Sequence, residues 1–375
     1  MPPPHQRQPD TTLDHALVML RQSWLNWLLL FIPVSLLLKF IHGLDAWLFV
    51  VAAFSLIPLA GLIGTATEEL SVHTGPVGGG ILNAAFGNAT ELIVALFALR
   101  SGLHEVVKAS ISGSIISNIL LVLGMSMLTG GWRRPVQRFN RTHASASAAM
   151  LFLAVVALVM PAVFDLTVYG SLTARTPIIT HLSVLVAIVL MGTYLASLIF
   201  SFKTHIVLLS PESAPLREAR LSLRDSLLVL LVVTTLTGFE AELLVSTITA
   251  VTKTLALTDF FIGAVIVAII GNAAEHFSAV TMARKNQMDL AVTIATGSST
   301  QIALFIAPVL VFASLLFGSP LSLVFNAFEI VGIGLAVLAL TITSLDGESN
   351  WFEGVQLVAV YLILVIVFYY VPVGK

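Results

Sequence analysis

The 375-residue chain contains no cysteine. Disulfides, zinc–thiolate sites, iron–sulfur clusters and thiol catalysis are therefore excluded. Charge is almost as scarce: 10% of the residues are Asp, Glu, Lys or Arg, against about 25% in an ordinary soluble domain. Eighteen basic and 20 acidic side chains cannot cover a globule of this size, and the net charge of −2 offers no basic field for nucleic acid. Disorder needs low hydrophobicity and high charge, whereas 57% of these residues are hydrophobic and the mean hydropathy is +0.99. What remains is an all-α polytopic membrane protein whose solvent is the lipid bilayer.

A bilayer core takes about 20 apolar residues per helix. That ruler gives eleven transmembrane candidates, over 24–42, 46–70, 77–99, 106–128, 144–164, 179–202, 224–251, 259–283, 288–317, 320–343 and 353–372. The runs are continuous rather than alternating, which argues against a β-barrel. The first run follows a polar, Pro-rich tail as a signal peptide would. No small-residue cleavage site precedes Lys39 and His42, so it reads as a retained span. Loop charge sets the orientation. Arg133, Arg134, Arg138 and Arg141 lie between spans four and five, and Lys203, Arg217, Arg220 and Arg224 precede span seven. With Arg7, Arg21, Arg284 and Lys285, 12 of the 18 bases fall on the N-terminal side, predicting a cytoplasmic N-terminus and an outside C-terminus.

Residues 87–120 and 271–304 repeat without gaps at an offset of 184 residues. Identical pairs include Gly87/Gly271, Asn88/Asn272, Glu91/Glu275, Arg100/Arg284, Gly113/Gly297 and Ser114/Ser298. Polar positions repeat better than apolar ones, so shared greasiness does not explain the match. An odd number of spans separates the copies, predicting an inverted-topology repeat with binding near the midplane. The expected organisation is a tail and first helix over 1–45, a five-helix repeat over 46–202, a cytoplasmic linker over 203–223 and a second five-helix repeat over 224–375.

Glu91 and Glu275 fall inside apolar runs, where an ionisable side chain costs roughly 2.5–3.5 kcal/mol and is expected to face a cavity or a partner. Asn88 and Asn272 stand one turn earlier on the same faces. Gly87 and Gly271 loosen the helix and free carbonyl oxygens. Inversion brings the two Gly-Asn-x-x-Glu faces together as a set of hard oxygen ligands. Such a set suits calcium, which takes 6–8 oxygens at about 2.3–2.6 Å, better than magnesium or a soft metal. Two carboxylates neutralise one divalent ion. Once it leaves, two facing negative charges in low dielectric are unstable, so protons take its place. Cation/proton exchange follows from that logic, with no resident cofactor.

Other polar residues extend the candidate site. Glu68, Glu69, Glu240, Glu242 and Glu329 lie in or at the edges of spans. No Lys or Arg is central in any span, so these acids are expected to lack ion-pair partners and to offer a path for cations or protons. Interfacial exposure or helix–helix hydrogen bonding explains them equally well. Ser114, Ser117, Asn118, Ser298, Ser299 and Gln301 either complete the ion's shell or join helices. Gln301 is favoured as a ligand because its long amide reaches inward. His276, about 100° round the helix from Glu275, either tunes the carboxyl and shuttles protons or is simply packed.

The segments GNATELIVALFAL at 87–99, FFIGAVIVAIIGNAAEH at 260–276 and GSSTQIALFIAP at 297–308 resemble the CAX-type cation/proton exchangers, calcium/proton antiporters of the cation/calcium exchanger superfamily. EELSVHTG at 68–75, GSIISNILLVLG at 113–124 and DGESNWFEG at 346–354 extend the likeness over nearly the whole chain. The resemblance implies an eleven-helix fold, one helix plus two inverted five-helix repeats. It implies that Glu91 and Glu275 are metal-binding carboxylates lined by Asn88, Asn272 and Gln301, and that Glu69 and Glu242 serve cation access or proton coupling. The mixed-charge linker and short N-terminal tail look like a prokaryotic member in the plasma membrane. Competing readings are a sodium-coupled or broad divalent exchanger of the same fold, a passive channel, and an intramembrane enzyme using Glu275 and His276 as an acid/base pair. The enzyme lacks a nucleophile and a metal-ligand cluster in the sequence.

Overall fold

The computed structural model describes residues 23–41, 43–170, 172, 176–201, 219 and 221–372. The tail over 1–22 and nearly all of the predicted linker lie outside these residues. Apart from one short ribbon and the segments that connect its helices, the described chain is helical. The helices are α1 (Trp24–Leu38), α2 (Asp45–Gly75), α3 (Gly78–Phe86), α4 (Ala89–Arg100), α5 (His104–Gly131), α6 (Arg141–Tyr169), α7 (Pro177–Ile199), α8 (Leu223–Leu255), α9 (Asp259–Gly271), α10 (Ala273–Arg284), α11 (Met288–Leu316), α12 (Ala327–Thr343) and α13 (Trp351–Tyr369). Among the described residues seven helices are long and apolar enough to cross a membrane, and the count is nine if each bent pair, α3–α4 and α9–α10, is one span. The apolar helices α1 and α12 are shorter than these seven.

Local sequence sets these boundaries. Asn140 caps α6 by accepting from His143 N at 3.0 Å, and Thr176 with Pro177 opens α7. Ser222 caps α8 through Asp225 N at 3.1 Å. Each cap satisfies N–H groups that the first helical turn leaves free. The structure corrects the tenth predicted span, which begins at 327 rather than 320. Residues 320–326 are extended because Asn326 and Glu329 form a capping box that starts the helix there. Leu321, Leu323 and Phe325 read as helix in the sequence because they are apolar. They are buried in protein, with Leu321 N donating to Ser314 Oγ at 2.8 Å and Leu323 N to Ser183 Oγ at 3.0 Å. Non-helical backbone inside a membrane protein needs such internal partners.

The best-buried helix is α5, running through the centre with 83% of its apolar window inside the protein. It and α11 each relax into a π-type turn, at Ser117–Val122 and Ile302–Ile306. Large apolar side chains such as Trp27 and Leu316 point outward, as a lipid-facing surface requires. At one end the loop after α5 lies on the α10–α11 turn. There Gln137 Nε2 donates to Ala283 O at 3.1 Å and Asn140 N to Asp289 Oδ1 at 2.8 Å. The same loop forms a two-residue ribbon between β1 (Gln137–Arg138) and β2 (Glu348–Ser349). The segment after α11 lies on the α4–α5 turn, where His104 Nε2 meets Ser319 Oγ at 2.8 Å.

Candidate cation-binding site

The two Gly-Asn steps are where the bent pairs break. The chain turns by 41° between α3 and α4 and by 57° between α9 and α10. Asn88 (φ −116°, ψ 37°) and Asn272 (φ −90°, ψ 9°) leave helical geometry at the break. Asn272 Nδ2 donates to Ala268 O at 2.9 Å and so ties the bend to the preceding turn. Each break starts a new helix with its glutamate in the first turn, Glu91 in α4 and Glu275 in α10. The positive end of the helix dipole favours a carboxylate there.

The two halves meet through a buried polar network. Ser298 Oγ donates to Asn88 Oδ1 at 2.5 Å, and Asn272 Nδ2 donates to Ser114 Oγ at 2.9 Å. Each asparagine is thus held by a serine of the other repeat copy. One further amide joins each: Asn88 Nδ2 donates to Gln301 Oε1, and Asn118 Nδ2 donates to Asn272 Oδ1 at 3.0 Å. Because Asn272 Nδ2 is committed to a backbone carbonyl, its Oδ1 must accept, and Asn118 must present its amide hydrogens.

The carboxylates flank this network. Glu275 Oε2 and Glu91 Oε1 are both buried with no hydrogen-bond partner among the described residues, and the two groups are close enough to interact electrostatically. They face different spaces. Glu275 lines a cavity of about 380 Å³ with Asn88, Ser298, Gln301, Thr65, Asn83 and Glu68. Glu68 is exposed, so this cavity leads outward from the network. Glu91 faces a small void of about 20 Å³ bounded by Ser110, Ser114 and apolar side chains including Val94, Val267, Ile302 and Ile306. That volume is about one water. Glycine at 271 makes room for Glu91: a Cβ there would meet Glu91 Cγ at 3.0 Å. At Gly87 a Cβ would meet Asn83 O at 2.5 Å and Gln301 Oε1 at 3.2 Å.

Glu91, Glu275, Asn88, Asn272, Gln301, Ser114, Ser298 and Asn118 therefore converge. Ser117 is buried and bonds back to Ser114 O at 3.2 Å, turned into its own helix. His276 lines neither space, and its Nε2 has no partner among the described residues. Glu68 reaches the cavity, whereas Glu69 is buried and accepts from Leu221 N at 3.3 Å. Glu242 is exposed away from both spaces. Glu240 is buried between α8 and α1, where Ser35 Oγ bonds its Oε1 at 2.6 Å. Glu329 accepts from Ser112 Oγ at 3.1 Å and from Asn326 N at 2.7 Å. Lys108 acts on Glu329 electrostatically but makes its ion pair with Glu105, at 2.8 Å, so Glu329 has no ion-pair partner among the described residues. Lys108 starts near a helix end but is only 12% exposed in its side chain, reaching inward from there.

Comparison with known proteins accords with this geometry. The chain matches the family described as sodium/calcium exchanger protein over residues 44–203 and 225–370. It is 46% identical over 363 residues to a Ca(2+)/H(+) antiporter of Aphanothece halophytica, covering 92% of this chain and 96% of that one. It is 42% identical to the Ca(2+)/H(+) antiporter ChaA of Bacillus subtilis, covering 90% and 96%. Among solved structures, native YfkE superposes with a TM-score of 0.80 at 38% identity, covering 93% of this chain and 100% of that one. With both repeat copies and nearly the full length of these relatives matched, the chain belongs to the sodium/calcium exchanger protein family.

Proposed function

We propose that this protein is a secondary antiporter that exchanges cytoplasmic calcium for protons by alternating access, and not an enzyme. The observation that carries the reading is the pair of buried, unpartnered carboxylate oxygens, Glu91 Oε1 and Glu275 Oε2, on either side of one amide–hydroxyl network. Two carboxylates match the charge of one calcium ion, and Asn88, Asn272 and Gln301 add neutral oxygens. When calcium leaves, protons neutralise the facing charges, so the site alternates between its two cargoes. Relatives sharing nearly the whole chain are calcium/proton antiporters, which supports the same exchange here.

The architecture in this reading is eleven spans: α1, then α2 to α7 as the first five-helix repeat over 46–202, then α8 to α13 as the second over 224–375. Counting α1 and α12 as short spans, and each bent pair as one, gives that number. The linker and N-terminus lie in the cytoplasm, the C-terminus outside, and the membrane is a prokaryotic plasma membrane. Under that orientation the cavity beside Glu275 and Glu68 opens to the cytoplasm, while the apolar wall behind Glu91 closes the opposite face. Glu68 receives the cation, with Glu69, Glu242, Glu329 and His276 as candidates for access or proton coupling.

Proteoliposomes test the coupling. An imposed pH gradient should drive calcium accumulation, and competing divalents should define selectivity. Calcium uptake driven by a sodium gradient at constant pH would favour the sodium-coupled reading, and dissipation without accumulation would favour a channel.

A further inference from the structure

Six bases cluster at one face of the helix bundle. Arg133, Arg134, Arg138 and Arg141 come from the loop after α5, and Arg284 and Lys285 from the α10–α11 turn. The two segments touch: Arg134 Nη2 donates to Arg284 O at 3.2 Å, and Gln137 Nε2 reaches Asn286 Oδ1 at 3.3 Å. Of the acids on this face one is ion-paired and the others hold amide donors, with Glu353 Oε2 left unpartnered among the described residues. Glu348 pairs with Arg138 at 3.1 Å, Asp289 accepts from Asn140 N, and Asp346 accepts from Glu348 N at 3.0 Å. Glu353 accepts from Asn350 Nδ2 at 3.0 Å. Arg133, Arg141, Arg284 and Lys285 are exposed, and no acid lies within ion-pair distance of any of them among the described residues.

Beside them stands an aromatic ledge. Trp132 is 68% exposed and Trp351 44%, and their rings meet edge-on with centroids 6.3 Å apart. Phe352 packs on Trp351 at 5.7 Å. Both tryptophans adjoin the ends of membrane-spanning helices, Trp132 after α5 and Trp351 opening α13. Exposed tryptophans at that position mark the headgroup level of a bilayer. Unpaired bases at the same level meet the phosphates of lipids.

We infer that this face seats the headgroup of an anionic phospholipid, held by Arg133, Arg141, Arg284 and Lys285 with its acyl chains against the Trp132–Trp351 ledge. The ligand is a lipid rather than a free phosphate because the bases and the exposed aromatics share one edge, which only an amphiphile satisfies together. Binding there bridges the loop after α5 to the α10–α11 turn. That turn joins α10, with Glu275, to α11, with Ser298 and Gln301. The seat therefore steadies one wall of the cation site from a distance.

The test is thermal unfolding of the full chain in neutral detergent, titrated with phosphatidylglycerol, phosphatidylcholine or soluble glycerol phosphate. Phosphatidylglycerol should raise the melting temperature, because a ligand of the native state stabilises it. Phosphatidylcholine and glycerol phosphate should not. The double variant Arg284→Gln/Lys285→Gln should need roughly 25-fold more phosphatidylglycerol, at about fivefold per base. Arg100→Gln/Lys253→Gln removes two exposed bases from other helix ends and should titrate like wild type. Should the first variant fold poorly, Arg284→Lys/Arg133→Lys keeps the charges and should retain the response, while high salt should remove it from the wild type. Equal responses to the two lipids, equal titration of the two double variants, or stabilisation by glycerol phosphate alone would each overturn the proposal.

Discussion

Replacing Gly271 by alanine is the smallest change that reaches the proposed ion site. The new methyl would sit 3.0 Å from Glu91 Cγ, 3.5 Å from its Cδ and 3.7 Å from its Oε1. Ordinary carbon contacts lie at about 3.5–4.0 Å, so Glu91 must retreat by roughly half an ångström. Glu91 lines a void of only about 20 Å³ with Val94, Val267, Ile302 and Ile306, which leaves little room to yield. Inserting a methyl into a packed site costs about 1–3 kcal/mol. If that cost falls on the calcium-loaded geometry, apparent calcium affinity drops roughly 5- to 150-fold. Calcium-dependent uptake into proteoliposomes, titrated over external calcium, measures it. Gly192→Ala in α7 is the control, since its methyl meets nothing within 4 Å. Gly87→Ala should be worse than Gly271→Ala, because its methyl meets the Asn83 carbonyl, a backbone atom that cannot swing aside. Wild-type affinity in Gly271→Ala, with Gly192→Ala also unchanged, would refute the placement of Glu91 in the site.

Two further substitutions probe the support around the site. Asn118→Leu removes the 3.0 Å donor to Asn272 Oδ1 and leaves a fully buried oxygen with only the 3.5 Å contact from Ser298. That should cost about 1–3 kcal/mol, read as weakened calcium affinity, and unchanged affinity would mean that Asn118 does not position Asn272. Glu240→Ala removes the partner of Ser35, the one buried residue of α1, and should lower the melting temperature, whereas Glu240→Gln keeps the shape and a bonding group and should stay near wild type. Equal loss in both variants would show that Glu240 does more than attach α1.

The repeated polar residues were the most legible part of the site. Gly87, Asn88 and Glu91 recur as Gly271, Asn272 and Glu275 because a bilayer penalises each of them unless another element meets it. Cross-pairing was not legible. That Ser114 serves Asn272 while Ser298 serves Asn88 depends on how two breaks face each other, which no spacing within one copy specifies. The copies also differ where their identities differ: Gln301 stands where the first copy has Ser117, and Asn118 where the second has Ile302. In this conformation Glu275 stands at an open cavity and Glu91 at a small void. Among neighbouring acids, the family resemblance pointed to Glu69, whereas Glu68 is the one that lines the cavity. Successive residues point about 100° apart on a helix, so one reaches the cavity and the other holds the backbone of Leu221. Extended backbone at 320–326 escaped detection because its side chains are as apolar as those of a span, and its partners Ser183 and Ser314 are distant in sequence.

The central claim is that Glu91 and Glu275 together carry the exchanged cation. Calcium uptake into proteoliposomes under an imposed pH gradient tests it most directly, comparing wild type with Glu91→Gln and Glu275→Gln after thermal unfolding has verified that each variant folds. Both variants should fall to the level of protein-free vesicles, since each removes one of the two charges that balance a divalent ion. Wild-type uptake by either one would contradict the account.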